Sequence, residues 1–166
     1  MLKTSKVRGF TLVELMITLA LLAIAATIAV PNFVQFIRNN QVQAKADEIV
    51  TFLQYARSQS IVGREAYEID MTSNDSWELG KDLSGSGAER LLAFNTTQAQ
   101  PRVTSLTDST LVFRANGMAR QAAKITVCRN TDFSNGFLIE VKASGAIQLY
   151  ARGHKNETEL MTSCTP

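Results

Sequence analysis

The feature that most constrains this chain is an apolar run near its N-terminus, from Phe10 to Val30. The run has 21 residues, and Glu14 is the only charged side chain within it. In a helix, about 20 apolar residues cross a hydrocarbon core of roughly 30 Å. The short leader before the run is basic and carries Lys3, Lys6 and Arg8. Because cationic flanks remain in the cytoplasm, the sequence predicts one membrane-spanning helix with the C-terminal bulk of the chain outside.

Two other interpretations compete with a membrane helix. One is an ordinary secretory signal cleaved after the apolar region, near Ala23-Ile24-Ala25, and the other is a plain anchor. However, the apolar region of a secretory signal usually has only about 7–15 residues. Such a signal also gains nothing from a carboxylate near its start, whereas this run contains Glu14. Both observations favour a helix that stays in the membrane.

The carboxylate of Glu14 is unfavourable within a membrane-spanning run unless another group compensates for it. A charged side chain at membrane depth costs about 2.5–3.5 kcal/mol on insertion scales. Such residues are expected to have a functional partner that offsets the loss of water. The apolar run therefore predicts a functional partner for Glu14.

The octet Arg8-Gly9-Phe10-Thr11-Leu12-Val13-Glu14-Leu15, followed by the apolar run and Pro31, resembles the class III leader of type IV pilins and type II secretion pseudopilins. In that family a dedicated peptidase and N-methyltransferase cuts after the glycine, here Gly9. The same enzyme methylates the new N-terminal residue, here Phe10. The family's glutamate matches Glu14, and its helix-kinking proline matches Pro31. The resemblance implies that the freed amine of one subunit pairs with this glutamate, in a neighbour or within the same chain before assembly.

The resemblance also implies a division of the chain into four parts. These are a cleaved leader (1–9), a transmembrane and filament-core helix (10–30), an amphipathic helix (31–62) and a periplasmic β head (63–166). It further implies a single-pass protein of the inner membrane, with the N-terminus cytoplasmic and the head periplasmic. The protein would later be incorporated in the pilus, or fimbrium.

The pattern after Pro31 supports a helix that docks on a core. Apolar side chains recur at the spacing i, i+3, i+4 and i+7, namely at Ile49, Phe52, Leu53 and Ala56. Gly63 is a plausible residue to follow the end of this helix. Arg57 is expected to be a solvated helix residue, with a capping or inter-subunit role as the alternative.

The rest of the chain predicts short strands separated by turns. Strands are expected over 66–71, 91–94, 110–114, 124–128, 137–142 and 146–151, with loops over 72–90 (interrupted by Trp77-Glu78-Leu79), 98–109 and 130–136. The dipeptides Asn116-Gly117 and Ser144-Gly145 indicate tight turns. Trp77 lies within the first of the loops and is expected to anchor the core. The predicted fold class is α+β, with a long N-terminal helix packed on a C-terminal antiparallel β head, a small β-sandwich.

Charge and composition exclude several classes of function. Without residues 1–9 the chain carries 14 cations and 15 anions, a balance that does not suit a general binder of polyanions. The charge is uneven, at −4 over 62–110 and +3 over 111–166, which we interpret as ordinary solvated surface.

No Walker loop, nucleophile elbow or zincin helix occurs, so no catalytic residue, cofactor or small-molecule substrate is expected. The chain is therefore not expected to be an enzyme. With His154 as the only histidine and no Cys-x-x-Cys, a metal site is not expected either.

The two cysteines, Cys128 and Cys164, both fall in the part expected to face the periplasm. An even count in an oxidising compartment predicts one disulfide. It would tie the C-terminal tail to an internal strand. The tail is polar from Asn156 onward, and Cys164 alone is expected to hold it in place.

Three functions share this assembly helix. The layout of the C-terminal half looks most like the FimU-type minor pilins, which link major subunits to the other minor pilins of a type IV pilus and resemble the H-type pseudopilins. An H-type pseudopilin of the type II secretion system is the first alternative. A DNA-binding minor pilin for natural transformation is the second, although its Gly-Arg-x-Arg motif is not reproduced. Arg152 and Lys155 remain candidates for contacts with DNA phosphates.

Overall fold

The computed structural model describes residues 9–72, 76–81, 83, 88–93, 102–105 and 110–165. Within these described ranges, the secondary structure is one long helix followed by eight strands. The chain divides into two compact units, Met1–Ile37 and Arg38–Pro166, each of which is described by itself.

The helix, α1, covers Leu12–Gly63 and contains Pro31. Its start lies two residues after the expected one, and Gly63 is its last residue, one position later than predicted. The left-handed conformation that ends many helices is adopted by Arg64 (φ 52°), not by the glycine. The bend expected at Pro31 remains a prediction.

Two four-stranded antiparallel sheets follow the helix. The first has the order β3-β2-β1-β5, and its strands are β1 (Tyr67–Asp70), β2 (Ser76–Gly80), β3 (Ala88–Ala93) and β5 (Thr110–Phe113). The second has the order β4-β6-β7-β8, and its strands are β4 (Arg102–Ser105), β6 (Ala123–Arg129), β7 (Asp132–Val141) and β8 (Ile147–Leu149). The structure therefore confirms the α+β fold class with an antiparallel head.

One core joins the second unit's part of α1 to both sheets. Side chains from the helix, including Ile49, Phe52 and Leu53, are at most 2% exposed. They belong to the same cluster as Ile69 of the first sheet and Ile125 of the second. The apolar stripe predicted from the sequence is thus buried, because neither sheet could cover its own apolar face alone.

Three of the predicted loops contain strands. The segment around Trp77 forms β2, which pairs with β1 and β3. Residues 102–105 form β4, which pairs with β6, and β7 starts at Asp132 inside the predicted loop 130–136. These segments are short or polar, so their pairing with distant strands decides their conformation and their local sequence does not. Trp77 itself is 3% exposed and lies in the core cluster, as expected.

Arg57 is not a freely solvated residue. Its Nε donates a hydrogen bond to the carbonyl oxygen of Gly117 over 3.0 Å, which ties α1 to the turn after β5. Gly145, in the turn between β7 and β8, packs against the same carbonyl with φ of 81°. Arg57, Gly117 and Gly145 thus form a junction between the helix, the turn after β5 of the first sheet and the β7–β8 turn of the second sheet. The sequence indicates this contact of Arg57 only weakly, because Arg57 lies at the edge of the buried apolar stripe, four residues after Leu53.

We expect Gly145→Ala to destabilise the head by about 2–5 kcal/mol. A side chain there would overlap the Gly117 carbonyl and would have to adopt a left-handed conformation. Gly63→Ala is the matched control, since its added carbon would only touch the Tyr67 ring at 3.5 Å. The measurement is urea unfolding of residues 38–166, the range that holds the whole core cluster. Equal midpoints for the two variants would contradict this account of the junction.

Candidate functional site

The predicted processing residues lie at the exposed start of the first unit. Gly9, Phe10 and Thr11 precede the helix, and the Phe10 side chain is 83% exposed. A side chain added at Gly9 would meet nothing within 4 Å. The backbone on either side of the Gly9–Phe10 bond is therefore outside regular structure and open to solvent.

Glu14 lies in the first turn of α1, where its backbone N–H donates to Thr11 Oγ1 over 3.2 Å. Thr11 is thus the N-cap of the helix. A carboxylate in the first turn is also favourable because the helix N-terminus carries partial positive charge. Glu14 is the only charged residue between Arg8 and Arg38. Thr-x-x-Glu at a helix start is a known capping pattern.

The surface of α1 in the first unit is apolar on all sides. None of the described residues 9–37 is buried, and their exposed large apolar side chains are Phe10, Leu12, Val13, Leu15, Met16, Ile17, Leu19, Leu21, Leu22, Ile24, Ile28, Val30, Phe33, Val34, Phe36 and Ile37. By length and composition, α1 could cross a membrane. A helix that is apolar all round needs lipid or other protein around it.

The predicted disulfide joins Cys128 of β6 to Cys164, with their Cα atoms 6.0 Å apart. Cys128 is 1% exposed, and its Sγ lies where a side chain on Gly136 of β7 would have to go. The bridge therefore lies against the start of the β6–β7 ladder and fixes the tail to the second sheet.

More than Cys164 holds the C-terminal tail, so that part of the prediction was wrong. The Thr126 hydroxyl donates to the Cys164 carbonyl over 2.6 Å. Met161 is 5% exposed, and its N–H donates to the Gly153 carbonyl. The polar composition of the tail does not indicate these contacts. Backbone groups make most of them, and Met161 supplies the buried surface.

The tail and the second sheet enclose a groove of ≈ 550 Å³. Within it, Tyr150 donates a hydrogen bond to Glu140 over 2.5 Å, and this bond raises the pKa of the Tyr150 hydroxyl. At its rim, hydrogen bonds from Asn156 and Lys155 hold the pKa of Glu159 below its usual value. The charged groups of the groove are of both signs, which does not favour a polyanion.

Asp132 is the first residue of β7 and organises the start of that strand. It accepts a hydrogen bond from the Ser134 hydroxyl over 2.6 Å and others from Asn135. These bonds lower the pKa of the Asp132 carboxyl from its ordinary 3.8. The start of β7 is therefore held by hydrogen bonds to this carboxylate, and the adjacent Phe133 is 40% exposed.

The two candidates for DNA contacts both have partners within the chain. Arg152 donates to the Asn39 carbonyl over 3.3 Å, and its guanidinium lies 5.0 Å from the centre of the Phe137 ring. Lys155 pairs with Glu159 at 3.2 Å. Contacts of these residues with DNA remain a prediction. Among the residues that the structure describes, no three His, Cys, Asp or Glu side chains gather as a metal site would require.

Comparison with known families matches two parts of the chain. The family described as type II transport protein GspH matches residues 45–145. The prokaryotic N-terminal methylation motif matches residues 4–30, which include the predicted cleavage position.

The individual proteins that are similar in sequence or structure include a fimbrial protein, a minor pilin and a minor pseudopilin. A fimbrial protein of Pseudomonas aeruginosa is 28% identical over 130 residues, which is 75% of this chain and 80% of the relative. The crystal structure of the type IV minor pilin FimU from the same organism has a TM-score of 0.64 at 24% identity, covering 78% of this chain and 98% of that one. The minor pseudopilin EpsH of Vibrio cholerae has a TM-score of 0.51 at 6% identity, covering 67% and 97%. At these identities the two structures show a shared fold.

We expect Cys128→Ser to destabilise the head by about 2–4 kcal/mol, because the lost bridge closes a loop with a sequence separation of 36. Cys164→Ser should match it, and the double variant should be no worse than either. Urea unfolding and limited proteolysis of the tail are the measurements, with exposed Ser163→Ala as the control. Two free thiols in protein from an oxidising compartment would contradict the assignment.

Proposed function

This chain belongs to the family of type II transport protein GspH, and from that premise we propose that it is a minor pilin of the type IV pilus. Its role is in the priming complex at the pilus tip, where it connects other minor pilins to the major pilin. In that position it supports pilus biogenesis and twitching motility.

The observation that carries this proposal is the likeness to the type IV minor pilin FimU. It extends over almost all of that structure and has a higher TM-score than the likeness to the pseudopilin EpsH. The relative described as a fimbrial protein supports the same choice, since three quarters of this chain aligns with it. A subunit with this head and an apolar helix can join a filament. Such a structural role does not require the protein to bind a substrate.

The proposal assigns roles to the N-terminal residues. A prepilin peptidase removes the leader after Gly9 and methylates Phe10, which the open backbone around that bond supports. Until assembly, the apolar surface of α1 is held in the inner membrane, with the head in the periplasm. In the filament, helices of neighbouring subunits take the place of lipid around it.

Glu14 then serves the assembly step. A carboxylate among packed apolar helices is stable only if a positive group offsets its lost hydration. The amine that cleavage frees at Phe10 is such a group, and it is four residues away in the same chain or available from a neighbour. Pairing between subunits would set the axial position of one helix against the next.

We expect Glu14→Val to leave the protein in the membrane and to reduce its incorporation into pili at least tenfold. The substitution removes the desolvation cost of the carboxylate, so insertion is unharmed, but the Phe10 amine loses its acceptor. The measurement is the amount of the protein in sheared pili relative to the membrane fraction. Leu15→Val is the control for an apolar change one residue away. Equal incorporation of both variants would show that no such pairing is needed.

An H-type pseudopilin of the type II secretion system is the second candidate, and the description of the matching family favours it. The two functions share the helix, the leader and the general fold, so the phenotype of a deletion strain separates them. We expect loss of surface pili and of twitching, with exoprotein secretion unchanged.

The two phenotypes should be scored in one deletion strain and restored by the wild-type gene. Normal piliation with lost secretion would reject the pilus assignment in favour of the secretion system. Normal piliation with lost DNA uptake would instead support the transformation alternative, and would require Arg152 or Lys155 to leave its present partner.

A further inference from the structure

Thr11 is the residue that caps the start of α1. Its Oγ1 accepts a hydrogen bond from the N–H of Glu14, and its carbonyl oxygen accepts one from the N–H of Leu15, each over 3.2 Å. Leu12 is the first helical residue. An N-cap residue of this kind has a non-helical backbone and satisfies an N–H that the first turn leaves without a partner.

The surrounding residues extend this capping pattern. Glu14 is the third helical residue, the position that a capping box gives to glutamate. Phe10 and Leu15 occupy the two positions, before the cap and at the fourth helical residue, that apolar side chains fill in a hydrophobic staple. By residue type and position, the sequence from Phe10 to Leu15 therefore matches the pattern of a helix that starts at Leu12.

The position of this start matters for the bond that the proposed processing breaks. Hydrolysis adds water across the Gly9–Phe10 bond, leaving a carboxylate on Gly9 and a protonated amine on Phe10. If the helix extended back to include Gly9, the carbonyl of that residue would accept a hydrogen bond from Val13, four residues on. Its carbon would then be enclosed by the first turn and would be less open to attack.

We propose that Thr11 is a positioning residue for removal of the leader. Its hydroxyl fixes the N-terminal start of the helix at Leu12. The Gly9–Phe10 bond therefore stays outside the helix, where the peptidase can reach it. The inference rests on the proposed processing after Gly9. It assigns the hydroxyl a role in the backbone conformation of the substrate and none in chemistry.

The decisive comparison separates the hydroxyl of Thr11 from its shape. Thr11→Val keeps the branched shape and removes the hydroxyl, so the helix can extend towards Gly9. Thr11→Ser and Thr11→Asn change the shape and keep a capping oxygen. Thr18→Val is the matched control, because the Thr18 hydroxyl bonds to the Leu15 carbonyl inside the helix and caps nothing.

The full-length chain should be expressed in cells that contain a prepilin peptidase, and loss of the leader followed by pulse-chase and immunoblotting. We expect Thr11→Val to be processed about fivefold more slowly, which is roughly the factor that one N-cap bond contributes. The Ser, Asn and Thr18→Val chains should be processed like the wild type. Extraction of membranes at high pH should show equal insertion for all of them.

Normal processing of Thr11→Val would overturn the inference, and so would slow processing of Thr11→Ser and Thr11→Asn. In either case the shape of the side chain, and not its capping oxygen, would control the rate of processing. Gly9→Val provides the unprocessed reference. A wild-type chain that keeps its leader in these cells would contradict the proposed processing itself, and the inference with it. Processing of the wild type and all Thr11 variants at one rate would contradict the inference alone.

Discussion

The structure depends on a helix that carries two apolar surfaces of different kinds. From residue 42 onward the buried side chains form a stripe that the sheets cover. Among the described residues 9–37, 16 large apolar side chains are exposed. At about 1.5–3 kcal/mol for each side chain removed from water, their burial is worth tens of kcal/mol. That exceeds the stability of a typical domain, about 5–15 kcal/mol. The environment of this segment, whether membrane or neighbouring helices, therefore governs where the protein resides.

In the proposed function the head has a different task, because an apolar helix cannot distinguish one partner subunit from another. Its surface is presented on a framework that local contacts hold firmly. Arg57 and two glycine turns join the helix to both sheets, and the disulfide and Thr126 fix the tail on the second sheet. In the proposed function, partners are recognised by the exposed surface between these fixed points, which includes Phe133 near the start of β7. Rigid presentation lowers the entropy lost when a partner binds.

The sequence alone predicted the parts of the structure that have a strong local signal. The apolar run, the stripe through Ile49 and Phe52, and the disulfide pair follow from periodicity, length and cysteine count. The turns at Gly117 and Gly145 follow from their dipeptides, and both glycines have positive φ. These features are decided within a few residues, or by chemistry that allows one partner only.

The remaining features depend on contacts that no local pattern records. The strands at 76–80 and 102–105 form because β1, β3 and β6 lie beside them. Arg57 bonds to a residue 60 positions away, and the tail is held mainly by backbone groups. Thr11 differs from these, because its capping pattern was present in the sequence within an octet that already had an explanation. A motif with one known role can conceal another.

The most direct test of the account is the mass and N-terminal sequence of this protein in purified surface pili. The account predicts a chain that begins at Phe10, carries one methyl group on its amine and retains the bridge between Cys128 and Cys164. Its abundance should be far below that of the major subunit. Absence from the pili, or presence only as a chain that still carries residues 1–9, would contradict the claim that the apolar helix is processed and built into the filament.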